Sequence, residues 1–127
     1  MRNYEVTLMH EENIIVDKSK AFALRIINLY KHLTANYNIF ALANQILKSG
    51  TSIGANVKEA IRAQSKPDFY SKMNIALKEA SETEYWLELL HESEFITDTQ
   101  FNSIYADCKE LLKILTSITK TQKSDEN

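Results

Sequence analysis

The chain has 127 residues, 44% hydrophobic and 25% charged, which fits one domain able to bury a core and excludes a two-domain layout. Two glycines and one proline are too few for the turns of a sheet protein this long, so composition selects helices. A formal net charge of −2 excludes the overall basic character of a stand-alone nucleic-acid binder, while leaving room for a basic patch on one face.

Residues 1–13 read as an N-terminal arm. Glu5, Glu11 and Glu12 and the lack of a long apolar run argue against a signal peptide. Within the arm, Tyr4-Glu5-Val6-Thr7-Leu8 alternates like a short strand. No stretch of the chain approaches a membrane span, so the expected location is the cytoplasm and no membrane partner is expected.

Residues 14–121 read as an all-α domain of four helices. The first spans about Ile15 to Ala35, with Ile15, Phe22, Ala23, Ile26, Leu29, Tyr30 and Leu33 on one face. The second, about Ile39 to Gln64, has the most regular seam: Ile39, Ala43, Ile46, Gly50, Ile53, Val57, Ala60 and Gln64 follow alternating steps of four and three. The third, about Lys66 to Glu94, carries Phe69, Met73, Ala76, Ala80, Thr83, Leu87 and Leu90. The fourth, about Asp98 to Lys120, carries Phe101, Ile104, Tyr105, Cys108, Leu111, Leu112, Leu115 and Ile118. Residues 122–127 form a polar C-terminal tail, expected to fray.

The links between helices have a mechanism. Ser65-Lys66-Pro67-Asp68 places a capping hydroxyl three residues before a carboxylate, with proline in the first turn. Thr97-Asp98-Thr99-Gln100 repeats the pattern, and Asn36 and Asn38 suit the end of one helix and the cap of the next. Links this short make successive helices antiparallel neighbours, which gives an up-down-up-down four-helix bundle.

A bundle helix needs one apolar stripe, and this chain has more. Leu24 and Ile27 on the first helix, Phe40, Leu42 and Leu47 on the second, and Tyr70, Tyr85 and Trp86 on the third lie outside the main faces. Of these, Leu24, Ile27, Phe40, Leu47, Tyr85 and Trp86 are the expected self-association surface. Gly50 and Gly54 lie in mid-helix, where each costs up to about 1 kcal/mol against alanine, so a close helix–helix approach is expected there, with a kink or hinge as the rival explanation.

Charge is unevenly shared. The first two helices carry an excess of bases, whereas residues 68–94 hold seven acids against Lys72 and Lys78. Acidic helix three is expected to face the bases of helices one and two, within a subunit or across an interface. Ser52, Asn56, Glu59 and Glu84 are expected to form a polar group near the seam of helix two, hydrogen-bonded to helix three, that sets register more than stability.

No catalytic, cofactor or metal site is expected. A di-iron bundle needs two Glu-x-x-His elements, and only Glu88-Leu89-Leu90-His91 occurs. Both glycines lie inside a helix, so there is no phosphate loop. Cys108, the sole cysteine, sits at a core-spaced position and reads as a small buried apolar side chain.

The segment SGTSIGANVKEA at 49–60, then Ser65 and Phe69, IALKEA at 75–80 and ETEYWL at 82–87, resembles a bacterial family. These are the four-helix bundle proteins encoded within intervening sequences of large-subunit ribosomal RNA genes, some of them labelled ribosomal proteins. The resemblance runs from about Ile15 to Thr119, and its most specific part is Ser52, Ile53, Asn56 and Glu59. Many members have Glu-Gly where this chain has Glu59-Ala60. The resemblance implies a ring-like homo-oligomer, a pentamer, as in the related accessory protein of diversity-generating retroelements, which is basic and binds RNA.

The leading expectation is a non-enzymatic homo-oligomeric scaffold associated with ribosomal RNA or an RNA-processing partner. Lys18, Lys20, Arg25, Lys31, Lys58, Arg62 and Lys66 are the candidate contacts to phosphates. The alternative is an adaptor that docks an unidentified protein through its surplus apolar surface or acidic helix three.

Overall fold

The computed structural model describes residues 3–126 and the side chains of residues 9–122. Four helices follow one another: α1 (Asn3–Asn36), α2 (Phe40–Ile61), α3 (Lys66–Glu92) and α4 (Asp98–Glu126). Each packs on its sequence neighbour, and α4 closes back on α1, while among the described residues the backbones of the diagonal pairs α1–α3 and α2–α4 do not approach closely. That is the expected up-and-down bundle. Its axis is filled by Phe22, Ile26 and Leu33 of α1, Ile46 and Ile53 of α2, Met73, Leu87 and Leu90 of α3, and Leu111, Leu115 and Ile118 of α4, each 2% exposed or less.

The α2 seam is realised from Ala43 to Ala60, all of it buried. It stops short of the expected end, because α2 closes at Ile61 and Gln64 lies in the turn. Ser65 is already extended, φ −151° and ψ 160°, as the cap of α3, so the chain has to leave the α2 helix before it. The Ser65 side chain accepts a hydrogen bond from the Asp68 backbone N–H at 3.2 Å. At α4 the reciprocal box is complete. The Gln100 backbone N–H donates to Thr97 Oγ1 at 3.1 Å, and the Thr97 N–H donates to Gln100 Oε1 at 2.8 Å.

Three expectations are corrected. Helix α1 begins at Asn3, so the residues that alternate like a strand continue the helix. A lone strand has no ladder partner, whereas a helix satisfies its own backbone, and the Ser117 hydroxyl of α4 donates to Glu11 at 3.0 Å in this extension. Helix α4 likewise runs on to Glu126 through most of the expected tail; Asn127 lies outside the described residues. Asn38 does not cap α2: Ile39 holds that position with no side-chain bond, while Asn36 Nδ2 donates to the His32 carbonyl at the end of α1.

The bundle end holding the α1–α2 and α3–α4 links is sealed by Ile96, 5% exposed, and by an edge-on contact of Phe95 with Tyr37 at 5.0 Å. Helix α3 ends in a Schellman turn, with the Phe95 N–H donating to the Leu90 carbonyl and the Glu94 N–H to the His91 carbonyl. Glu94 takes the left-handed position, φ 65°, that glycine usually fills. Among the described residues no helix is long and apolar enough to cross a membrane.

Candidate interaction surface

The α1–α2 contact is set by the two glycines. A Cβ added at Gly50 would lie 2.7 Å from Cγ1 and 2.8 Å from Cγ2 of buried Ile26, and one at Gly54 would lie 3.3 Å from the Ser19 carbonyl oxygen. The missing side chains therefore let α2 press against α1, and the outer side of the contact is a shallow groove of about 490 Å³. Val16 and Ala23 of α1 and Gly54, Ala55 and Ile61 of α2 give it an apolar lining, and Lys20, Lys58 and Arg62 line it as well. None of these three bases has an ion-pair partner among the described residues.

The seven expected phosphate contacts thus divide. Lys20, Lys58 and Arg62 come together in the groove. Lys18 and Arg25 turn to α4, where Lys18 pairs with Glu110 at 2.8 Å and Arg25 binds Asp107 and the Ser103 hydroxyl. The Glu110 carboxylate is the main reason the Lys18 ammonium is held above its ordinary range. Lys31 is exposed farther along α1, and Lys66 opens α3 beside the α2–α3 turn.

The polar group expected between α2 and α3 is not assembled. The Ser52 hydroxyl donates to the Lys48 carbonyl at 2.6 Å and Asn56 Nδ2 donates to the Ser52 carbonyl at 2.8 Å, both within α2. Glu59 is exposed, 3.8 Å from Lys72, and Glu84 accepts from Lys109 of α4 at 2.9 Å. Residues 52, 56 and 59 lie one position before the buried 53, 57 and 60, and about 100° of rotation per residue carries them off the core. The buried polar contact is instead between the hydroxyls of Ser49 and Thr83, 2.9 Å apart. A threonine in the α3 seam was the signal, since a buried hydroxyl needs a partner.

Within the chain, acidic α3 does not face the bases of α1, whereas Lys48 of α2 acts on its Glu79. Its charges go mainly to α4, through Glu84–Lys109 and a 2.7 Å hydrogen bond from the Tyr105 phenol to Glu88. That bond also holds the phenol well above its ordinary range. Among the described residues Glu79 has no salt-bridge partner, and its carboxyl is raised by burial and by neighbouring Glu82.

Of the expected interface, Leu24, Phe40 and Tyr85 are 56%, 51% and 54% exposed. Ile27, Leu47 and Trp86 are half-buried, and Leu47 and Trp86 pack on the core. The Trp86 indole N–H donates to Glu82 at 3.2 Å. Tyr70, counted as surplus from its spacing, is 3% exposed and belongs to the core.

The Glu88-x-x-His91 pair does not converge: Glu88 is taken by Tyr105, and His91 lies 2.7 Å from Asp98 and stacks on Phe101. Among the described residues no cluster of three histidine, cysteine or carboxylate groups could hold a metal. Cys108 is buried, and desolvation first, then Glu84, pushes its thiol up to about 12.

The sequence profile described as 23S rRNA-intervening sequence protein matches residues 11–117. No curated protein matches. Among solved structures, a protein of unknown function from the S23 ribosomal protein family of Bacteroides thetaiotaomicron is 57% identical, covering 84% of this chain and 98% of its own, with a TM-score of 0.82.

Proposed function

Because the chain belongs to the 23S rRNA-intervening sequence protein family, we propose that it is a non-enzymatic homo-oligomeric scaffold, a pentamer, acting in the cytoplasm beside ribosomal RNA. The observation that carries this reading is apolar surface left over after the core is complete. Leu24, Phe40 and Tyr85 are more than half exposed although the bundle axis is filled, and burying such groups favours association by about 25 cal/mol per Å².

The link to RNA rests on the family description and on Lys31, exposed on α1 and without an ion-pair partner among the described residues. Contacts of this kind would be to phosphates, without reading bases, and would weaken steeply with salt. The aromatic pair Tyr85–Trp86, 5.2 Å apart on acidic α3, favours a second reading as an adaptor for a protein partner.

Native mass spectrometry of protein purified from cells tests both. A discrete multimer, with a 23S rRNA fragment binding in a salt-sensitive way, is the expected result. A single chain bound to one defined protein, with no affinity for RNA at low salt, would replace the scaffold reading by the adaptor.

A further inference from the structure

Three helices share one surface rhythm. On α1 the groove is lined at Val16, Lys20 and Ala23, and on α2 at Ala55, Lys58 and Arg62, in steps of four and three. On α3 the same steps give a stripe of Ile75, Glu79, Glu82 and Trp86, of which Ile75 is 38% exposed and the others half-buried. A stripe with this spacing is one face of a helix, the kind that packs side chains between those of neighbouring helices. The charges are complementary: among the described residues, three bases without ion-pair partners line the groove, and two acids without ion-pair partners lie between the apolar ends of the stripe.

Building on the scaffold reading, we infer that the α1–α2 groove of one copy receives the α3 stripe of a second copy. Glu79 and Glu82 meet Lys20, Lys58 and Arg62, while Ile75 and Trp86 cover the apolar lining. A second copy is the occupant because the chain itself carries both complementary surfaces. Groove and stripe are different parts of the subunit, so the contact is head-to-tail and repeats until the rotation closes a ring. The charges on α3 fix register, since shifting the stripe by one residue brings Lys78 in place of Glu79 toward the bases. Glu79 suits this role: Lys48 and Lys78 act on it inside the subunit but do not offset its burial and the repulsion from Glu82, so further positive charge stabilises it.

The test is size-exclusion chromatography with light scattering on the full chain. Lys58→Glu/Arg62→Glu and Glu79→Lys/Glu82→Lys are each expected to lower the mass from that of the multimer to one chain, 14.6 kDa. Combining all four reversals is expected to restore the multimer, and the control Lys113→Glu/Lys120→Glu on α4 to leave it intact. Circular dichroism separates lost assembly from lost folding. In unsubstituted protein, a zero-length carbodiimide link between Lys58 of an isotope-labelled copy and Glu79 or Glu82 of an unlabelled one is expected. A multimer that survives both double reversals, a fourfold variant that stays monomeric, or inter-copy links that avoid these acids would overturn the inference while leaving the scaffold reading intact. Loss of bound nucleic acid by Lys58→Glu/Arg62→Glu at unchanged mass would assign the groove to phosphates and overturn it too. A monomeric unsubstituted chain would remove both.

Discussion

Helix α1 has two neighbours and meets them by opposite means. Against α2 it closes through absent side chains, Gly50 on Ile26 and Gly54 on the Ser19 carbonyl, with no ion pair between the helices among the described residues. Against α4 it is strapped by Lys18–Glu110, by Arg25 with Asp107 and Ser103, and by Glu11 with Ser117. The bases on the α4 side are engaged inside the subunit, while those on the α2 side stay available. The bases of α1 and α2 thus acquire different roles from what stands opposite each of them.

The α1–α2 side should be the less forgiving. Ile26→Ala removes a fully buried side chain and is expected to cost about 2–5 kcal/mol in urea denaturation. Gly50→Ala forces Ile26 to shift and is expected to cost about 1–3 kcal/mol, reduced by up to about 1 kcal/mol of helix propensity. Together they should cost less than their sum, because the added methyl enters the space the isoleucine vacates. Full additivity would break the account of that contact.

Smaller effects sharpen the contrast. Thr83→Val leaves the buried Ser49 hydroxyl without its cross-helix partner and is expected to lower stability by about 1–3 kcal/mol. Glu94→Gly relieves the left-handed backbone and is expected to raise the melting temperature, with a gain of about 1 kcal/mol. Arg25→Ala on the α4 side should cost no more than about 1 kcal/mol, less at high salt, because the pair is partly exposed. An Arg25 effect larger than that of Gly50 would invert the comparison. Cys108, with its thiol raised to about 12, should resist a thiol reagent at pH 8 until the chain is unfolded.

Much of the fold was legible because its determinants are local. The seam from Ala43 to Ala60 follows from spacing, and the caps at Ser65 and Thr97 follow from single hydroxyls placed before Asp68 and Gln100. The pairing of charges was not legible. It depends on α4 returning to α1, which brings Ser103, Asp107 and Glu110 to Lys18 and Arg25 across more than 75 residues. The same closure decides which bases are left for the groove. The polar contact was misplaced for a related reason: Asn56 and Glu59 are conspicuous in sequence, but Asn56 bonds within its own helix and Glu59 is exposed, while Ser49 and Thr83 look ordinary and are buried.

The central claim is that surface left over by a complete subunit is assembly surface. Its most direct test is the light-scattering mass of the unsubstituted chain across a hundredfold dilution. A discrete multiple of 14.6 kDa that persists on dilution, namely five chains, is the expected result. A mass of one chain at every concentration would contradict it.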